Sequence, residues 1–269
     1  MKAYKFALLG ALLLLLAASS GCSKLRARDQ LNKGVTAFSN AQFQAAILHF
    51  KSAVGLDPTL LNAKLYLATA YKSQYIPGGE SPENSKIAQQ AIDAFEDVLK
   101  TDPNNSTAIA SVGEMYYDLR NFDKAKEYQR HWMQVEPNNP VPYYWIGMID
   151  WAICFPRTQQ MRKDLKIEFP KDPKNPSSLP PFPEKVRAQL AEQNGPLVKE
   201  GLEVLQKAIQ LKPNDFSTMA YLNLTYRQKA DLESTASARQ ADLREAEDWV
   251  NKALAVKKAG TTGAASAAQ

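Results

Sequence analysis

Between residues 27 and 258 the chain alternates blocks rich in Ala, Leu and aromatic residues with short polar turns. Within the blocks apolar positions recur three and four residues apart, the spacing that lines up side chains on one face of an α-helix. Tyr144, Met148 and Trp151, at i, i+4 and i+7, form one such stripe. The turns share a composition. "GLDPTLLNA", "LKTDPNNSTA", "VEPNNPVP" and "QLKPNDFSTM" each place Pro after a charged residue where an apolar block ends. Pro has no N–H for the helical ladder and clashes with the preceding turn, so the helix stops. The Asn and Ser residues that follow can cap the next helix. The pattern predicts helices that stop and restart, and that bury their apolar faces against stacked neighbours rather than alone.

The turn prolines are Pro58, Pro103, Pro137 and Pro213, at intervals of 45, 34 and 76 residues, which read as 34 plus 11, 34, and 34 plus 42. A period of about 34 residues is that of the tetratricopeptide repeat. Gly113, Tyr116, Ala125 and Pro137 fit that motif without insertion, with Gln129 and Trp132 in place of the second aromatic and second Ala. The first unit has Gly34, Ala46, Phe50, Ala53 and Pro58, with Ala37 at the first aromatic position. The second has Leu67, Ala68 and Tyr71, then Ala91, Phe95 and Pro103. The fourth has Ile146 and Gly147, then Leu205, Ala208 and Pro213, with Gly201 where Ala is usual. The fifth has Leu222 and Tyr226, then Ala246, Val250 and Ala253, with Lys258 at the Pro position. On these residues the chain resembles the tetratricopeptide-repeat proteins. The resemblance implies an all-α, right-handed superhelix of about five helix-turn-helix repeats over residues 27–258. Small residues such as Gly34 and Ala46, or Gly113 and Ala125, would let paired helices approach closely.

Three insertions fall between the helices of repeats 2, 4 and 5. "SQYIPGGESPENS" (73–85) reads as a loop. In repeat 5, "RQKADLES" prolongs one helix and "ASARQADLREA" starts the next, giving a longer hairpin. The insertion at about 155–197 begins with "TQQMRKDLKIE", a helix extension. It continues through "FPKDPKNPSSLPPFP", with six prolines in fifteen residues, which excludes regular helix. "EKVRAQLAEQN" is a short helix, and "GP" restarts the motif. The Pro-rich part reads as a solvated surface segment, with a flap over the groove or a docking surface as the alternative. The tail 259–269 is small and polar, as in disordered ends.

The first 21 residues have the layout of a cleaved export signal: Lys2 and Lys5, then "FALLGALLLLLAA", which is too short to span a bilayer. "SSGC" follows and resembles the lipobox of bacterial lipoproteins, with Ser19 where Leu is usual. That resemblance implies acylation of Cys22, residues 22–26 as a lipid-anchored start, and exposure in the periplasm. Ser23, rather than Asp, implies the outer membrane. The full chain carries a net charge of +5, and losing Lys2 and Lys5 leaves +3, which makes no case for nucleic acid. With Cys22 acylated, Cys154 has no partner, and its setting in "WAICF" predicts a buried thiol.

No catalytic constellation, haem motif or Gly-rich phosphate loop is present, and His49 and His131 stand eighty-two residues apart. The reading is of a protein that is not an enzyme and takes no cofactor and no metal. Binding remains. In tetratricopeptide-repeat proteins the first helix of each repeat lines a groove that holds a partner's peptide or helix. The resemblance places Leu31, Val35 and Phe38, then Leu65, Thr69 and Lys72, on that face. It adds Ala110, Glu114 and Tyr117. Tyr144, Met148 and Trp151 follow, and Ala220, Leu224 and Arg227 come last. Leu31 and Val35 stand where chaperone-binding members use Lys and Asn to clamp a carboxylate, so that ligand is not expected. Tyr144 and Trp151 read equally well as core beneath the insertion. The implied function is a lipid-anchored scaffold for envelope proteins. The alternative is a module in which groove and insertion enclose a small molecule or glycan.

Overall fold

The structure is a computed structural model that describes residues 22–167 and 179–266. The signal segment 1–21, residues 168–178, which include most of the Pro-rich segment, and the last three residues lie outside the described residues. Among those described, all regular structure is helical. The chain divides into two compact units, one ending at Asn121 and the other starting at Phe122.

The first unit contains α1 (22–39), α2 (Phe43–Leu56), α3 (Leu61–Lys72), α4 (Pro82–Thr101) and α5 (Ser106–Asp118). Each helix packs on the next as an antiparallel hairpin. The α1–α2 crossing turns on Gly34: a Cβ there would sit 2.4 Å from the Phe50 ring. Phe50 is fully buried and stacks on Tyr66 at 5.5 Å between centroids. The small residue at this crossing thus accommodates an aromatic ring rather than a bare Ala46 surface. The loop after α3 is shorter than its sequence suggests. It ends at Ser81, whose hydroxyl caps α4 through the Asn84 N–H, with Pro82 at the first helical turn. Asn84 is buried and bonds back to Ile76 and Gly79, closing the loop on itself.

The second unit contains α6 (Phe122–Val135), α7 (Pro140–Asp164), α8 (Glu184–Leu211), α9 (Phe216–Ala230) and α10 (Ala236–Ser266). The helix extension expected after Phe155 is present, since α7 runs to Asp164. The restart expected at Gly195-Pro196 is not. "EKVRAQLAEQN" and the following motif form one helix, α8, with Pro196 inside it. Glu192, whose carbonyl loses its partner, and Pro196 are both exposed, so the missing bond falls on the solvent side where water replaces it. The insertion is also less solvated than its composition implies. Leu190 and Asn194 are fully buried, and Phe182, within the Pro-rich segment, is buried under the Arg162 guanidinium at 4.3 Å. Asn194 bonds to Cys154 O and Thr158, and Thr158 donates to Gln228, which ties α7, α8 and α9 together. The loop between α9 and α10 is short, as the long-hairpin reading requires. Helical backbone continues through Ser266, into the tail that its small polar residues left without structure. The Ala-rich sequence propagates the packed helix that precedes it.

The four turns at Pro58, Pro103, Pro137 and Pro213 work in one way. At each of the four, the residue two after the Pro returns its N–H to the residue before it: Leu60 to Asp57, Asn105 to Asp102, Asn139 to Glu136 and Asp215 to Lys212. In three of the four the returning residue also caps the next helix: Asn105 accepts from Ala108 N, Asn139 from Val141 N and Asp215 from Thr218 N. Asn105 and Asn139 donate in turn to the acids Asp102 and Glu136, which explains why an acid recurs before the Pro.

Gly147, on α7, faces Leu205 of α8. A Cβ at Gly147 would lie 2.4 Å from Leu205 Cγ, and Leu205 is fully buried. Gly147→Ala is therefore expected to lower stability by about 1–3 kcal/mol through overpacking. Chemical denaturation measures this, and relief by Leu205→Ala in the double variant identifies the clash as the cause.

Candidate partner-binding faces

In the first unit, α1, α3 and α5 present the residues assigned to the groove. Phe38 is half-buried and meets Phe43 edge-on at 5.4 Å. It packs, with Leu31 and Val35, on the core around Ala37, Ile47 and Phe50. Thr69 spends its hydroxyl on Leu65 O of its own helix, at 2.8 Å. Lys72 on α3 and Glu114 on α5 are brought together, Nζ to Oε2 at 2.5 Å, and so neutralise each other on this face. Both are part-exposed, and a pair of this kind adds little stability. Burial, then the nearby Glu114, pushes the Asp118 carboxyl above the usual carboxylate range. Tyr117 is half-buried on the same helix.

In the second unit the stripe on α7 divides. Met148 is buried, only 7% exposed, and belongs to the core rather than to an open groove face, because α7 is covered more broadly than a regular repeat helix. Tyr144 and Trp151 are half-buried, and both meet Tyr221 of α9 edge-on, at 5.5 and 5.6 Å. Trp151 also stacks on Phe155 at 4.6 Å. Tyr221, the organiser of this cluster, was missed: it stands next to Ala220, the residue that the motif places on the groove face. Trp151, Leu224 and Arg227 come together around one cavity of about 130 Å³, together with Arg162, Arg239 and Leu179.

A second polar group lies in the core. Lys126 (α6) contacts Asp150 (α7) at 2.5 Å and Glu200 (α8) at 2.7 Å, and Arg130 reaches Glu200 at 2.6 Å. Asp150 is 1% exposed. Burial, against the opposing pull of Lys126, pushes its carboxyl up from 3.8 to about 7. Gly201 stands beside this group, and a Cβ there would make ordinary contact with Asp150 Cβ at 3.4 Å and Thr225 at 3.6 Å, so the structure does not demand Gly over the usual Ala. The same carboxyl loses its proton near pH 4 in the unfolded chain and near pH 7 in the folded one. The folded form keeps a proton that the unfolded form has released, so this contribution falls as pH rises through that window. In Asp150→Asn that titration is gone. The melting-temperature difference between wild type and variant is expected to move against the wild type from pH 4 to pH 7, as thermal melts at a series of pH values would record.

Cys154 is buried, as its apolar setting predicts, and burial lifts its thiol to about 12, so it is not a nucleophile at neutral pH. His49 Nδ1 is held against Gln30 Oε1 at 2.8 Å. Among the described residues no three His, Cys, Asp or Glu side chains gather to hold a metal, and no helix is long and apolar enough to cross a membrane.

Helical hairpins joined by these turns define the tetratricopeptide-repeat fold. The solved structures it resembles include MamA, with a TM-score of 0.58 at 14% identity over 88% of this chain and 94% of that one. A form of MamA from Desulfovibrio magneticus RS-1 gives 0.55 at 15% identity over 87% and 96%. YrrB, described as a TPR protein with an unusual peptide-binding site, gives 0.51 at 16% identity over 85% and 90%. At such identity the likeness establishes the fold. No family model and no curated protein matches the chain.

Proposed function

We propose that the protein is a non-enzymatic interaction scaffold, anchored by lipid on Cys22 to the periplasmic face of the outer membrane, that binds a peptide or helix of an envelope protein on its first-helix faces. The observation that carries the reading is the part-exposed aromatic group Tyr144, Trp151 and Tyr221, joined by edge-on ring contacts between α7 and α9. Large aromatic side chains fixed by packing are the usual anchors of protein interfaces. The peptide-binding site named for YrrB supports the same use of the fold. Cys22 is exposed and opens the described part of α1, a position open to acylation. The cavity beside Trp151 favours a second reading, in which groove and insertion enclose a small molecule.

The anchor is tested by Cys22→Ser. The variant is expected to lose incorporation of labelled fatty acid and to shift from the membrane to the soluble periplasmic fraction, because stable attachment needs more than one acyl chain or a second membrane signal. Wild-type protein without label, together with a Ser variant still in the membrane, would show that Cys22 is not the anchor.

A further inference from the structure

The cavity lined by Trp151, Phe155 and Leu224 on one side has three arginines on the other: Arg162, Arg227 and Arg239. Asp231 is the one carboxylate in its lining, so within the lining three positive charges face one negative. Arg162 is 2% exposed, and its Nη2 pairs with Asp231 Oδ1 at 2.6 Å. Its Nη1 is buried with no acceptor, and so is Arg239 Nε. Arg239 spends Nη2 on Leu179 O at 2.7 Å, and Arg227 spends Nε on Asn223 at 2.9 Å. Glu247 acts on Arg227 from outside the cavity lining. A buried guanidinium N–H without an acceptor is costly, and an anion that supplies one recovers that cost.

We infer that this cavity binds a small carboxylate, its two oxygens on the arginine side and a compact apolar body against Trp151, Phe155 and Leu224. The planar guanidinium fork matches a carboxylate better than any neutral group. The volume of about 130 Å³ sets the size of the body. An apolar protein cavity of ~150 Å³ accepts benzene, so the smaller volume here limits the body to a single ring or a branched chain at most. The acid could be a free metabolite or the last residue of a peptide, since both offer the same oxygens beside an apolar group. The inference concerns the occupant of this cavity and does not depend on protein-partner capture by the first-helix faces.

Calorimetric titration of the full chain tests it, with benzoate, its neutral analogue benzamide, and the peptide Gly-Gly-Phe with a free or an amidated C-terminus. Benzoate is expected to bind at roughly millimolar concentration, with benzamide at least ~10-fold weaker, the loss of a charged hydrogen-bond acceptor. Arg227→Gln and Arg239→Gln, at part-exposed positions that leave the Arg162–Asp231 pair in place, should each weaken benzoate by ~5-fold or more, with thermal melts confirming the fold. Tighter binding of the free-acid peptide than of benzoate assigns the site to chain ends, and the reverse order assigns it to free acids; both uphold the carboxylate. Equal binding of benzoate and benzamide, unchanged affinity in both Gln variants, or no benzoate heat at all would overturn it.

Discussion

Lys126→Met is expected to lower stability by about 3–5 kcal/mol, because it leaves Asp150 buried without its cationic partner. Lys126 Nζ is the group that meets Asp150 Oδ1 at 2.5 Å, while Asp150 Oδ2 has no hydrogen-bond partner. The Asp150 carboxyl is already pushed up to about 7 with Lys126 present, so its burial cost outweighs the pull of the lysine. Without the lysine it will hold its proton more firmly, and the deficit should be larger at pH 8 than at pH 5. Glu200 loses less, since it is part-exposed and keeps Arg130. The double change Lys126→Met with Asp150→Leu should recover much of the loss, because a buried pair replaced by apolar groups of like volume is often neutral. Urea denaturation of the single and double variants at the two pH values decides this. A single variant as stable as the wild type would mean that the core does not depend on the pair.

Ile146→Ala is the second large effect. Ile146 is 1% exposed on α7, beside the Gly147–Leu205 crossing, and its truncation should cost about 2–5 kcal/mol. Trp151→Ala and Tyr144→Ala remove half-buried rings that lean on Tyr221, and the expected loss is smaller, about 1–2 kcal/mol. The ordering of the three melting temperatures separates core from face. If the two aromatic variants melt as early as Ile146→Ala, the rings are core and not a docking surface.

What could be read in the sequence was local. The turn prolines and the capping residues Asn105, Asn139 and Asp215 act within four residues of where they stand, so their spacing exposes the repeat. Gly34 and Gly147 could be read as crossing points for the same reason, although not that Phe50 and Leu205 would fill the space. What could not be read was assembled from a distance. Asp150 and Glu200 lie 24 and 74 residues from Lys126, each in an ordinary helical context. Arg162 and Arg239 stood in segments read only as helix ends, and nothing in their spacing reveals that both meet Arg227. Gly195-Pro196 does not end the helix because buried contacts on either side, Asn194 and Val198, hold α8 together, and the carbonyl freed by Pro196 is on the exposed side where water reaches it. Met148 was placed on an open face by a motif that does not include the packing added by the long insertion.

The central claim is that partner proteins dock on the first-helix faces. Site-specific photo-crosslinking in living cells tests it most directly, with a benzophenone side chain at Tyr117, at Trp151 and, for comparison, at Leu48, which is 68% exposed on α2. The account predicts one discrete protein adduct from Tyr117 and from Trp151, and none from Leu48. Adducts from Leu48 with none from the two first-helix positions would contradict it.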